Sequence, residues 1–137
     1  MRDTTTKIYP ESMTCIHGTE EDVHRHCILS HLKRGWKVAA HEWIVIPRKE
    51  KYGRGDLVFK KGREYRVIEC KRKPHPNVFE QAKFYGAAWK VLYAKPGYRV
   101  KYGVWTCSTK RILGTVGDPR RLCRRKACGI IWRQRSL

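Results

Sequence analysis

Between Thr19 and Cys107 the apolar and polar positions follow two different periods. From Glu20 to Arg34 the apolar residues Val23, Cys27, Ile28, Leu29 and Leu32 recur mostly at steps of one helical turn, which predicts a helix. Thr19 reads as its N-cap. Glu20, Glu21 and Asp22 put carboxylates in the first turn, where the helix dipole favours them. Gly35 is the stop signal. The apolar residues spread over more than one face, which predicts a helix packed between other elements. Trp36 to Ile46, rich in β-branched and aromatic residues, predicts a strand ended by Pro47. Asp56-Leu57-Val58-Phe59 and Tyr65 to Lys71 predict a second and third strand, joined as a hairpin through Lys60-Lys61-Gly62-Arg63.

Lys73-Pro74-His75-Pro76 interrupts the pattern. Asn77 followed by Glu80 suits a capping box for a second helix, from about Val78 to Lys90. Pro96-Gly97 marks a turn, and Arg99 to Cys107 reads as a fourth strand. The chain thus divides into an irregular arm (1–18), a core (19–110) and a basic extension (111–137), all within one domain. In the extension, Asp118-Pro119 would open a last helix.

Composition narrows the class. A chain of 137 residues fits one domain. Its 41% hydrophobic residues suffice for a core and exclude a wholly disordered basic tail. No run approaches the ~18 apolar residues of a membrane span. The start, Met1 to Thr6, lacks the apolar stretch of a secretory signal. An intracellular protein, cytoplasmic or nuclear and neither secreted nor membrane-bound, is the expectation.

Lys and Arg number 31 against 12 Asp and Glu, a net charge of +19. So large a surplus repels itself in the compact state and points to a polyanionic partner, nucleic acid first. Solubility alone needs far less charge. The six cysteines, Cys15, Cys27, Cys70, Cys107, Cys123 and Cys128, form no C-x-x-C pair. They read as reduced, small apolar residues. His24, His31 and His75 show no ligand spacing and read as surface residues.

Against this basic background two acids stand out. Gly55-Asp56 precedes Glu69-Cys70-Lys71 across the hairpin, and Glu69 and Lys71, two apart on a strand, share a face. Two carboxylates with an ammonium beside them can hold a divalent cation and a water. A two-residue turn at Lys61-Gly62 would put Asp56 opposite Val67 and on the same face as Glu69 and Lys71. A three- or five-residue loop would put Asp56 on the other face while pairing Phe59 with Tyr65 and Leu57 with Val67. The sequence is compatible with both.

In this order of elements, Asp56, Glu69 and Lys71 resemble the PD-(D/E)XK nuclease superfamily. Gln81 and Tyr85, on the following helix, match its Q-x-x-x-Y pattern. The resemblance covers about Thr19 to Cys107. It implies an α/β fold with a restriction-endonuclease-like core, a mixed four-stranded sheet flanked by helices. It also implies cleavage of DNA phosphodiesters with Mg²⁺ or Mn²⁺. Asp56, Glu69 and the Cys70 carbonyl would bind the metal, and Lys71 would handle the water. Gln81 and Tyr85 would position the lysine or the DNA. The family's usual proline before the first aspartate is Gly55 here. A first-helix glutamate often reaches the metal through water. Glu20 shares a stripe with His24, Cys27 and His31, a more polar face than that of Glu21, and is the favoured candidate.

Lys49, Lys51, Tyr52, Arg54, Arg72, Lys73 and Lys83 surround this site in sequence, and Trp89 is interleaved with them. Basic groups would carry phosphate affinity and aromatics would stack on bases. Arg120, Arg121, Arg124 and Arg125 in the extension would clamp a duplex. The expected function is a DNA exonuclease or a structure-specific endonuclease such as a junction resolvase, and a homodimer is one way for so short a chain to cut two strands. The alternatives are a non-catalytic nucleic-acid-binding module on the same scaffold and an RNA-associated basic protein.

Overall fold

A computed structural model describes residues 19–45, 53–73 and 76–117. The arm, most of the basic loop with Lys49, Lys51 and Tyr52, His75, and the basic extension from residue 118 onward, with Arg120, Arg121, Arg124 and Arg125, lie outside the described residues. The elements are α1 (Glu20–Lys33), β1 (Lys37–Ile44), β2 (Arg54–Lys61), β3 (Glu64–Cys70), α2 (Pro76–Leu92), β4 (Arg99–Trp105) and β5 (Lys110–Thr115).

The chain folds as α/β, with one five-stranded sheet in the order β1-β2-β3-β4-β5. The expected sheet had four strands. β5 is the fifth, pairing antiparallel with β4 and straddling residue 110, where the sequence reading ended the core. Its alternation is too weak to read alone, because its residues are only half-buried. β1-β2 and β2-β3 are antiparallel, whereas β3-β4 is parallel. A parallel link needs a crossover, and α2 supplies it.

Thr19 caps α1 as expected: the Asp22 amide donates to Thr19 Oγ1 at 3.2 Å and the Thr19 amide to Asp22 Oδ2 at 2.9 Å. α2 starts earlier than expected. Pro76 occupies its first position, where a missing N–H costs nothing, so Asn77 lies inside the helix and is not its cap.

Among the described residues, the sheet carries one helix on each face. Leu57, Phe59, Ile68 and Cys70 pack with Val23 and Cys27 of α1. Val58, Tyr65 and Val67 pack with Phe84, Tyr85, Ala88 and Trp89 of α2. This alternation along β2 and β3 is the strand period of two. α1 does not sit between layers as expected, since Leu29 and Leu32 stay exposed. Trp89 is buried in the α2-side core and is not a stacking surface for bases. The reading of all cysteines as reduced needs correction too: Cys27 and Cys70 are free thiols in the core, but Cys107 is disulfide-bonded.

His31, expected at the surface, is 2% exposed. Its ring stacks on Phe59 with centroids 3.9 Å apart. Nδ1 donates to the Cys27 carbonyl at 2.8 Å, and Nε2 accepts from Arg66 at 3.3 Å, a pattern that fits only the neutral ring. Burial lowers its pKa from 6.5 to about 4, against the Cys27 bond and with help from Arg66 and Arg34. A depressed folded-state pKa means the unfolded chain takes the proton first. Stability is then intact above 6.5 and falls as pH drops toward about 4. His26, lowered mainly by burial, adds to the same slope. The loss from His31 should be on the order of 3 kcal/mol. Urea unfolding across this window tests it: His31→Gln should flatten the slope, and an unchanged slope refutes the assignment.

Candidate functional site

The β2-β3 hairpin settles the register. Lys61 pairs with Glu64, so the turn is Gly62-Arg63 and not Lys61-Gly62. Pairs run to Leu57↔Ile68, and one further step sets Asp56 opposite Glu69. The competing register, with Leu57 against Val67, does not form. Its appealing cross-strand pairs would have cost the sorting of Leu57 and Phe59 from Val58 onto opposite cores.

Asp56 stands at the start of β2 and Glu69 at the end of β3, so antiparallel pairing brings both to one end of the sheet. Asp56 Oδ2 accepts the Cys70 amide at 2.7 Å, and its side chain is hydrogen-bonded to Glu69. Glu69 is 4% exposed. Burial, then the Asp56 charge, pushes its pKa up to about 9. Asp56 is raised as well, chiefly by burial, while the Cys70 N–H opposes the shift. Both shifts have one sense: the two dry, adjacent carboxyl groups resist carrying two negative charges at once. Such a pair is the oxygen donor set a hard dication suits, because its charge offsets theirs.

Two residues of α1 reach this end. Glu20 Oε2 lies 3.7 Å from Lys71 Nζ. One turn on, His24 Nε2 lies 3.6 Å from Asp56 Oδ1. Glu20 rather than Glu21 therefore touches a member of the trio, and it does so through the lysine. His24, read from sequence as a surface residue, belongs to the site instead. The amphipathic spacing of α1 held the signal, since Glu20 and His24 share a stripe. The fold was needed to show that this stripe faces Asp56.

Gln81 and Tyr85 are placed by α2. The Gln81 amide oxygen is buried without a hydrogen-bond partner. Tyr85 packs its ring on Trp43, and its hydroxyl lies against Gly53 at the entry to β2. The Cys70 thiol is fully buried beside Cys27, and burial holds its pKa well above the ordinary value. Arg72 and Lys73 are exposed just past Lys71, Lys83 is half-buried on α2, and Arg54 donates to the Glu42 carbonyl at 3.5 Å.

A cleft of about 660 Å³ opens between α1 and the β1-β2 edge, lined by Glu20, His24, His41, Glu42, Arg54 and Asp56 among others. Glu42 and His41 were not singled out from sequence. Glu42 falls between the pairs His41↔Leu57 and Trp43↔Gly55, and so opposite Asp56. Its φ of 53° is left-handed, a conformation that a non-glycine residue adopts at a cost. Nothing in the one-dimensional pattern announces it.

The substitution of Gly55 for the expected proline has a steric basis. The Trp43 indole lies directly over Gly55, where a Cβ would overlap the ring. Trp43 is itself held by Tyr85, Trp89 and Tyr93. Gly55→Ala should therefore lower unfolding free energy by about 1–3 kcal/mol, the ordinary cost of overpacking. Chemical denaturation checks it, and a loss below ~0.5 kcal/mol would mean the ring moves aside freely.

No family model, curated protein or solved structure matches the chain. No described helix is long and apolar enough to cross a membrane.

Proposed function

We propose that this chain is a divalent-metal-dependent DNA nuclease with a restriction-endonuclease-like core of the PD-(D/E)XK type. The observation that carries the reading is the meeting of Asp56, Glu69, Lys71 and Glu20 at one end of the sheet, although Glu20 and Lys71 stand 51 positions apart in the chain.

Asp56, Glu69 and the Cys70 carbonyl would hold Mg²⁺ or Mn²⁺. The bound cation would neutralise charge at the scissile phosphate and lower the pKa of an attacking water. Lys71 orients that water through its ammonium, and Glu20 restrains the lysine from the α1 side. The unpaired Gln81 oxygen offers a buried acceptor to a donor arriving at the α2 face. Tyr85 supports the site from the core. A net charge of +19 makes a polyanion the natural substrate. Exposed Arg54, Arg72 and Lys73 supply phosphate contacts close to the acids.

Incubating the protein with linear, circular and branched DNA, with Mg²⁺, Mn²⁺ or EDTA, tests the activity and sorts exonuclease from junction-cutting endonuclease. Asp56→Ala and Glu69→Ala should each abolish cleavage and keep DNA binding. Cleavage at the wild-type rate in both variants would refute the site. Binding with no cleavage by the wild type under any metal would leave a non-catalytic DNA-binding module.

Lys71 deserves a separate variant because arginine keeps its charge but not its shape. A lysine that merely touched phosphate would tolerate the change. A misplacement of ~1 Å at a reacting centre costs on the order of 10²-fold. Lys71→Arg should thus lose most single-turnover cleavage at saturating protein. An unchanged rate would reduce Lys71 to a phosphate contact.

A further inference from the structure

We propose that His24 is a metal ligand which, together with Asp56, makes this site take a transition dication such as Mn²⁺ in preference to Mg²⁺. The inference rests on the reading of Asp56 as a metal-holding carboxylate. It adds a nitrogen donor, on α1, that the two-acid pattern does not contain.

His24 Nε2 and Asp56 Oδ1 stand 3.6 Å apart. Two donors about 2.0–2.2 Å from one ion lie about 3.0–3.5 Å from each other, so a closure of a few tenths of an ångström would bring both onto a cation. A ring nitrogen of His24, a carboxylate oxygen of Asp56 and the Cys70 sulfur all lie within 4.8 Å of one another. Donor groups from α1, β2 and β3 are thus gathered at one place. His24 also meets the His41 ring edge-on, with centroids 5.7 Å apart, which limits how the imidazole can turn.

The surroundings favour a cation here. The cleft beside His24 carries Glu20, Glu21, Glu42 and Asp56, four of the chain's 12 acids, in a protein whose surplus is positive. Arg25 and Arg54 line the same cleft, so its formal surplus is two negative charges, opposite in sign to that of the whole chain. Donor type then decides which cation is held. Mg²⁺ takes oxygen donors and keeps its waters, whereas imidazole suits the transition metals. A histidine serving only to orient Asp56 would help both cations equally. A histidine bound to the ion would help Mn²⁺ selectively.

Calorimetric titration of the full-length protein with Mn²⁺ and with Mg²⁺ separates these roles, and pulsed paramagnetic resonance of the Mn²⁺ complex reports directly bound nitrogen. The wild type should bind Mn²⁺ more tightly and show nitrogen hyperfine coupling. His24→Ala should weaken Mn²⁺ by about tenfold or more, at least the effect that partners outside the ligand shell command. It should change Mg²⁺ by less than about twofold and lose the coupling. His24→Asp, which supplies oxygen in place of nitrogen, should bind both cations with the preference gone. It also guards against a folding defect in the alanine variant. His41→Ala should keep the coupling. Parallel losses of Mn²⁺ and Mg²⁺ in His24→Ala, a coupling that survives it, or no coupling in the wild type would overturn the proposal. Cation binding and DNA cleavage are separate readouts. Nitrogen coupling without cleavage would sink the nuclease reading alone, and Mg²⁺-supported cleavage without nitrogen coupling would sink the ligand alone.

Discussion

The hydrogen bond from the Cys70 amide to the Asp56 carboxylate holds the site to the sheet. The β2-β3 ladder is regular from the Gly62-Arg63 turn to Leu57↔Ile68. Beyond that point a side chain takes over one of the duties of the backbone. The Cys70 N–H would otherwise be a buried donor in need of a partner. Asp56 satisfies it and is thereby fixed in position. The other end of the same carboxylate is left to face His24. One bond thus ends the hairpin, places the first acid and aims it toward α1.

That arrangement is electrostatically expensive. Asp56 and Glu69 are adjacent, largely out of water, and raised in pKa for that reason. Buried like charges favour a shared proton or a bound cation. Lys71 and His24 ease the repulsion from one side each, and the Cys70 amide eases it from the backbone. The remainder of the protein carries the opposite excess, so the acidic end is a local inversion in a basic field. Under the proposed function, the basic surplus would draw in a polyanion and the acidic point would be where a cation meets it.

The aromatic core supports the same end of the sheet. Trp43 lies over Gly55 and is braced by Tyr85, Trp89 and Tyr93. The residue just before Asp56 must lack a side chain for this packing to close. On the opposite face, His31 stacked on Phe59 plays a structural part as a neutral ring between the Cys27 carbonyl and Arg66. The stripe Glu20-His24-His31 therefore changes character along α1, from the wet mouth of the cleft to the dry core.

The amino-acid sequence by itself determined the local elements and singled out the trio. Helical spacing after Thr19, alternation through β2 and β3, and the turn residues between them depend on neighbours close in the chain, and they read through to α1 and the hairpin. Glu69 lies at the end of β3 and Lys71 just past it, two positions on, so their nearness was legible as well. The partnership of Asp56 with Glu69 was not, because a change of one residue in the turn reverses every face. Burial of Leu57 and Phe59 against α1 and of Val58 and Val67 against α2 decided it. β5 was missed because its half-buried residues lack a strong alternation, and pairing with β4 is what makes it a strand. His24 and Glu42 are ordinary letters in the chain. Their place beside Asp56 comes from α1 crossing the sheet and from β1 pairing with β2, contacts between segments far apart in sequence that only tertiary packing can set.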